Sequence, residues 1–329
     1  TDFGVDFGFF NQRLTGSFDY YYKKTNDILV QTPYIAAMGE GGEPWVNGAS
    51  MNNQGVEFTV SFKSDPSSEF QWAVSANIGT YKTELTDLPS NVINKYAGDG
   101  VHDLILGRSP NSAYGLVADG IFKTQEEVDA HADQPGKAVG RIRYKDLDGD
   151  GVINETYDRT WIGCYDPDFF GGLNFDFAYK GFDLNLFFEG MFGNDVNSDW
   201  KKESDIWLFT NPAWKNHATR MLGGWSPDNP NSDIPAISNN TANQEQRFSS
   251  WFIEDGSYIK LRNIELGYTF PTKLIKKMHM SNLRLYAAAY NVFTLKKFWG
   301  DDKYTSFDPE RPSYHYLTPF TFNFGINVS

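Results

Sequence analysis

Apolar and polar residues alternate with a period of two along much of the chain, the spacing that puts one set of side chains on each face of a β-strand. Phe3, Val5, Phe7 and Phe9 alternate with Asp2, Gly4, Asp6 and Gly8. Val56, Phe58, Val60 and Phe62 stand opposite Glu57, Thr59, Ser61 and Lys63, and Phe70, Trp72, Val74, Ala76 and Ile78 opposite Gln71, Ala73, Ser75 and Asn77. Further on, Leu173, Phe175, Phe177 and Tyr179 share one face, as do Phe182, Leu184, Leu186 and Phe188, and Phe320, Phe322, Phe324, Ile326 and Val328. The segment 258–270 changes phase near Arg262 and Asn263, where a bulge is expected, and 283–293 is diluted by alanines; both are predicted as strands.

The pattern predicts nine strands, at about 2–11, 14–30, 51–63, 70–84, 168–179, 182–192, 258–270, 283–293 and 317–328. Their connections alternate in length. Short links at 12–13, 64–68, 180–181 and 271–280 follow every odd-numbered strand but the last, and long ones at 31–50, 85–167, 193–256 and 294–316 follow every even-numbered one. Short turns at one end and long loops at the other are the signature of a transmembrane antiparallel β-barrel. Four or five large apolar side chains on each strand represent roughly 10 kcal/mol per strand on burial, and that face must be hidden from water. Lipid hides it in a barrel. The alternative is a secreted β-sandwich or propeller, in which a second sheet hides it and the loops bind or cleave polysaccharide. In a membrane, an open nine-stranded sheet would leave two unpaired edges in lipid, so the chain is expected to be the C-terminal portion of a larger barrel.

Composition narrows the field. The chain has 329 residues, 29 Lys and Arg against 42 Asp and Glu, a formal net charge of -13, 27 Phe, 18 Tyr, 9 Trp and one cysteine, Cys164. It is too rich in packing residues for disorder, and a lone cysteine forms no internal disulfide. Nucleic acid is excluded as a partner, since no basic stripe is present to release counterions. The apolar stretch from Ala287 to Phe293 is far shorter than the roughly 20 residues a spanning helix needs. The opening Thr1-Asp2-Phe3-Gly4 lacks a start Met, a basic segment and an apolar segment, so the chain is expected to begin inside a domain.

Several strings carry a family resemblance. They are Asp6-Phe7-Gly8-Phe9-Phe10-Asn11, Leu14-Thr15-Gly16-Ser17, Asp19-Tyr20-Tyr21-Tyr22-Lys23-Lys24, Asn53-Gln54-Gly55-Val56-Glu57-Phe58 and Tyr144-Lys145-Asp146-Leu147-Asp148-Gly149-Asp150-Gly151. Tyr179-Lys180-Gly181-Phe182-Asp183-Leu184, Gly224-Trp225-Ser226-Pro227-Asp228-Asn229-Pro230, Tyr258-Ile259-Lys260-Leu261-Arg262-Asn263, Gly267-Tyr268-Thr269-Phe270-Pro271 and Phe307-Asp308-Pro309-Glu310 complete the set. In this order they resemble the C-terminal part of the barrel of a SusC/RagA-type, TonB-dependent outer-membrane transporter of Gram-negative bacteria. The resemblance covers essentially all of residues 1–329 and implies a barrel of about 22 strands whose plug, TonB box and N-terminal strands lie elsewhere. It implies active import of glycans (oligosaccharides) or peptides. The implied partners are the TonB–ExbB–ExbD complex, acting through the missing N-terminal part, a SusD-like lipoprotein over the extracellular loops, and outer-membrane lipid. The strings at 181–184 and 267–271 argue against a siderophore or cobalamin receptor. One departure is the end: such barrels usually close on an aromatic residue, and this chain ends on Val328-Ser329.

The sharpest local motif is Asp146-Leu147-Asp148-Gly149-Asp150-Gly151-Val152-Ile153-Asn154. Oxygen ligands at positions 1, 3 and 5, glycine at 6, a backbone carbonyl at 7 and a polar side chain at 9 are what a calcium loop requires. The expected ligands of a structural Ca²⁺ are therefore Asp146, Asp148, Asp150, the Val152 carbonyl and Asn154. Tyr157 occupies position 12 where a bidentate carboxylate belongs, so Asp158 serves only if the loop bulges; the alternative is a solvated acidic turn. Trp200, Trp207 and Trp214, together with Trp225 and Trp251, fall in one long loop. The first three are candidates for stacking on substrate sugars, against the plainer reading that a large loop packs on its own aromatics. No catalytic residues are expected. His102, His131, His217, His279 and His315 are scattered without zinc-site spacing, and Gly39-Glu40-Gly41-Gly42 does not run from a strand into a helix as a phosphate loop does.

Overall fold

A computed structural model describes residues 1–31, 45–90, 92, 103–206, 218–238, 241–296, 304–312 and 316–329. Strands β1 (Asp2–Phe9), β2 (Leu14–Gln31), β3 (Trp45–Lys63) and β4 (Phe70–Asp87) form an antiparallel meander. The excursion that follows contains β5 (Ser112–Leu116), β6 (Ala118–Ile121), helix α1 (Gln125–Ala130), β7 (Ile142–Tyr144) and β8 (Arg159–Cys164), which make two small sheets, β5 with β8 and β6 with β7. The chain then rejoins the large sheet as β9 (Phe169–Tyr179) and β10 (Phe182–Phe192). Short strands β11 (Asp195–Asn197) and β12 (Ile253–Asp255) pair across the next loop, and β13 (Tyr258–Thr269), β14 (Leu283–Lys296) and β15 (Thr321–Val328) complete the large sheet. Its order, β1-β2-β3-β4-β9-β10-β13-β14-β15, has every neighbour antiparallel and nine members, the nine strands predicted from periodicity.

The register keeps the two faces chemically separate from edge to edge. On one face Val5 stands beside Phe18, Phe18 beside Phe58, and Phe58 beside Ile78. Trp72 pairs with Phe177 and Phe177 with Leu184; Leu184 then meets Leu266, Leu266 Ala287, and Ala287 Phe324. Phe324 is 79 % exposed and Ile326 66 %, so this apolar face is left open among the described residues. The opposite face carries hydrogen-bonded polar pairs: the hydroxyls of Ser17 and Thr59 at 2.8 Å, of Ser61 and Ser75 at 2.9 Å, and Asn263 Nδ2 donating to Asn185 Oδ1 at 2.9 Å. Here Gly325 lies beneath Tyr286, and a Cβ on Gly325 would come 2.1 Å from the ring. The close approach requires glycine at that position.

The sequence placed a bulge near Arg262, and it is there. Phe187 pairs with Asn263 and Phe188 with Leu261, leaving Arg262 as the extra residue of β13. Leu261 and Ile264, three apart, therefore share the apolar face. Strand limits differ in detail. β1 stops at Phe9, because Phe10, Asn11 and Gln12 adopt φ of 55°, 56° and 62° and turn the chain. β15 starts at Thr321 rather than near 317; Pro319 has no N–H to give the ladder, and its carbonyl accepts from Asn291 Nδ2 instead. The turn at Lys180 and Gly181, with φ of 49° and 88°, is the tight hairpin geometry suited to twisted strands.

Candidate functional site

The long loops lie at one end of the sheet, and they fold against one another rather than extending separately. Leu116, Ile121, Ile142, Tyr144 and Ile153 from the excursion form a buried cluster with Ile206 and Phe252 of the next long loop, and Trp225 and Trp251 pack on its margin. A second cluster, from Val30, Ala49, Leu85, Leu88, Val92 and Ile105, seats the excursion on the ends of β2 to β4. Polar ties join the two loops. The Ala118 amide donates to Ser250 Oγ at 2.9 Å, and Arg141 Nη1 pairs with Glu245 Oε2 at 2.7 Å while the Ile142 amide reaches Glu245 Oε1 at 2.7 Å. Burial pushes Arg141 below and Glu245 above their ordinary pKa values, so for each the loss of water outweighs the attraction of the partner.

In the acidic loop the Asp146 carboxylate accepts from the amides of Gly149 at 2.8 Å and Gly151 at 2.9 Å. Desolvation opposes ionisation of Asp146, but these amides outweigh it and hold the carboxyl below its usual range. The Asp158 amide donates to the Asn154 carbonyl at 3.2 Å, and this turn folds Asp158 back under the loop. There it is fully buried and accepts from the Leu147 amide at 2.8 Å and the Asn154 amide at 2.7 Å. Asp146, Asp148 and Asp158 each bring a carboxylate oxygen within 4.8 Å of the others. Hard oxygens at that separation suit calcium. Asp150 instead accepts from the Val152 amide at 2.7 Å, and Asn154 Oδ1 accepts from the amides of Thr156 and Tyr157 at 2.9 and 3.0 Å.

Where the polar face of the sheet meets the loops, a cavity of about 630 Å³ opens between β10, β11 and residues 304–312. Lys260 is buried on this face, paired with Asp308 Oδ1 at 2.7 Å and with Glu310. Arg262, the bulge residue, bonds Glu189 Oε2 at 2.8 Å and also Glu310, whose remaining interaction is with Tyr258 Oη at 2.9 Å. The bulge thus anchors 304–312 to the wall through two cations.

The sheet with its loops resembles solved barrels of one kind. A structure described as the RagAB peptide transporter matches with a TM-score of 0.75 at 24 % identity, over 99 % of this chain and 34 % of that one. The RagAB peptide importer in an open-open state matches at 0.74 and 23 % identity, over 100 % and 34 %. In sequence, TonB-dependent receptor P3 of Formosa agariphila is 32 % identical over 309 residues, 92 % of this chain and 30 % of that protein. TonB-dependent receptor SusC of Bacteroides thetaiotaomicron is 27 % identical over 308 residues, 91 % of this chain and 28 % of SusC. The chain belongs to the SusC/RagA-type TonB-dependent receptors. It spans about a third of the length of the curated relatives it matches. No family model matches it. The relatives are named as receptors and transporters, not as enzymes.

Of the sequence-predicted site residues of this receptor chain, three expected ligands, Asp146, Asp148 and Asp158, come together. Trp200 packs edge-on against Phe307 with ring centroids 4.9 Å apart, within the loop assembly. Trp207 and Trp214 lie outside the described residues, as do His102, His217 and His315 and the string from Gly39 to Gly42. The wall-to-loop anchors Lys260, Arg262, Glu189, Asp308 and Glu310 were not singled out for a role. For Lys260 and Arg262 the signal was present as charged residues in the strand string Tyr258 to Asn263, and for Asp308 and Glu310 in the loop string Phe307 to Glu310; Glu189 lies in neither.

Proposed function

We propose that this chain is the C-terminal part of the barrel of an outer-membrane importer of Gram-negative bacteria. In this reading the apolar face meets lipid, the polar face lines the lumen, and TonB–ExbB–ExbD drives transport through a plug carried by other parts of the protein. The folded long loops form the extracellular vestibule and the seat of a SusD-like lipoprotein, and the cargo is an oligosaccharide or a peptide. The chain itself has no enzymatic role. The observation that carries the reading is the nine-stranded sheet with one uninterrupted apolar face, one hydrogen-bonded polar face and all its long connections at one end. In the same frame the acidic loop is a structural Ca²⁺ clip, which the convergence of Asp146, Asp148 and Asp158 supports.

The test is the migration of the native gene product in detergent-extracted outer membrane, with and without boiling, detected with an antibody to this segment. A band much larger than 37.3 kDa that shifts on heating is expected. A water-soluble product of about this size with no heat shift would refute the importer reading and favour the secreted polysaccharide-binding β-protein.

A further inference from the structure

The cavity at the junction of wall and loops has a one-sided chemistry. Asn194, Asp195, Asn197 and Asp199 contribute to its lining, with Tyr165 and Glu310, and among the described residues no Lys, Arg or His does. Glu310 is already saturated by Lys260, Arg262 and Tyr258. Asp195 and Asp199 are not balanced in this way. Among the described residues, Asp195 Oδ2 accepts only from a neutral donor, the Cys164 backbone amide at 2.8 Å, and Asp199 Oδ1 only from Asn197 Nδ2 at 3.3 Å. Burial raises the pKa of Asp195, and the nearby charges of Asp255 and Asp168 raise it further, so the site gains by receiving a positive charge.

A second observation points to a ligand rather than to an acidic surface. Asn194 is 5 % exposed, and its side-chain oxygen is buried without a hydrogen-bond partner; the Asn197 side-chain oxygen is in the same condition. Asn194 Nδ2 lies toward Gly256, where a Cβ would come within 2.5 Å of it, so the unpartnered oxygen is on the other branch of the amide. Buried acceptors left without donors are costly, and a ligand that supplies donors recovers that cost. The deficit is of donors and of positive charge together. A sugar hydroxyl supplies one donor and no charge, and a carboxylate, sulfate or phosphate would face carboxylates with no cation among the described lining residues to receive it.

We infer that this cavity is a subsite for a primary ammonium group of the transported molecule, with Asn194, Asn197 and Asp199 receiving its three N–H bonds and Asp195 supplying charge. The inference rests on the importer reading and deepens it: the cargo is a peptide or another amine, entering from the loop side along the polar face. Tyr165 adds an aromatic ring to the lining, which further favours a cation.

The experiment is calorimetric titration of the full-length receptor in detergent. Tetra-alanine amide presents only a terminal ammonium, Nα-acetyl-tetralysine amide only side-chain ammonium groups, and the fully acetylated forms and maltoheptaose present none. At least one amine probe is expected to bind about tenfold or more tighter than its acetylated counterpart, and which one identifies the source of the ammonium. Asp199→Asn and Asn194→Leu should each weaken that binding by about the same factor, in protein that still shows the heat shift of a closed barrel. Equal binding of free and acetylated forms would overturn the inference. So would affinity unmoved by both substitutions, or tighter binding of maltoheptaose that the substitutions abolish. A receptor that shifts on heating but shows no preference for amines defeats the subsite and leaves the importer reading standing; absence of the heat shift defeats the importer reading itself.

Discussion

The buried pair of Arg141 and Glu245 separates two contributions that are often confused, the cost of burying charge and the cost of orphaning it. The two side chains are 7 % and 4 % exposed and join segments 104 residues apart. Glu245→Ala leaves the Arg141 guanidinium buried without its counter-charge and deprives the Ile142 amide of its acceptor. Removing one partner of such a pair costs about 3–5 kcal/mol, equivalent to roughly 150- to 4,000-fold in the population of the opened loop assembly. Arg141→Met with Glu245→Leu removes both charges and keeps the volume apolar, so it should recover most of the loss or exceed wild type. Limited proteolysis of outer membranes containing full-length receptor measures this, because cleavage at 218–252 tracks the open population when reclosing is fast. The heat shift of the barrel should be the same in all variants, since neither residue belongs to the large sheet. Cleavage of Glu245→Ala within about threefold of wild type, or a double variant no more resistant than the single one, would refute the reasoning.

Phe58→Arg puts a cation on the apolar face and is expected to cost about 2–4 kcal/mol near the bilayer midplane, whereas Thr59→Arg, one residue on and facing the lumen, should cost far less; urea midpoints and the yield of heat-shifting protein compare them. Chelation with EDTA should make 146–158 of the full-length receptor susceptible to protease, Ca²⁺ but not Mg²⁺ should restore resistance, and Asp158→Asn should abolish the response. Burial, then the charges of Arg143 and Lys137, hold His131 below its ordinary pKa of 6.5. The unfolded excursion therefore takes up this proton at a higher pH than the folded one, and its protease resistance should fall as pH drops below 6.5. His131→Gln should remove that part of the pH dependence, and an unchanged profile would show that His131 does not contribute.

The wall was legible because its information is local. Period-two alternation, turn residues and the three-residue spacing of Leu261 and Ile264 are each read within a dozen positions, and together they set the strands, their faces and the bulge. The loops follow no period. Ala118 meets Ser250 across 132 residues and Lys260 meets Asp308 across 48, and nothing near either residue in the chain specifies its partner. Asp158 is intermediate. Its carboxylate was recognisable as a candidate, but its place depends on the turn from Asn154, which a position count along the loop does not contain. Asn194 and Asn197 were invisible as site residues, because an asparagine acquires a role only when packing takes its hydrogen-bond partners away.

The bulge at Arg262 also determines which changes in chain length the wall tolerates. Because side chains alternate every residue, a strand keeps its orientation when two residues are gained or lost and inverts when one is. Regular pairing through Arg262 would turn Lys260 and Tyr258 outward and Ile259 and Leu261 inward, while β13 from Asn263 onward stayed as it is; with Arg262 bulged out, the residues before it keep their faces. The bulge is thus a parity correction. It lets the loop-proximal end of β13 send a buried lysine toward the lumen while the rest of the strand keeps its aliphatic side chains outside. Homologues are expected to vary in length at this position only where the charged anchors of 304–312 have changed with it.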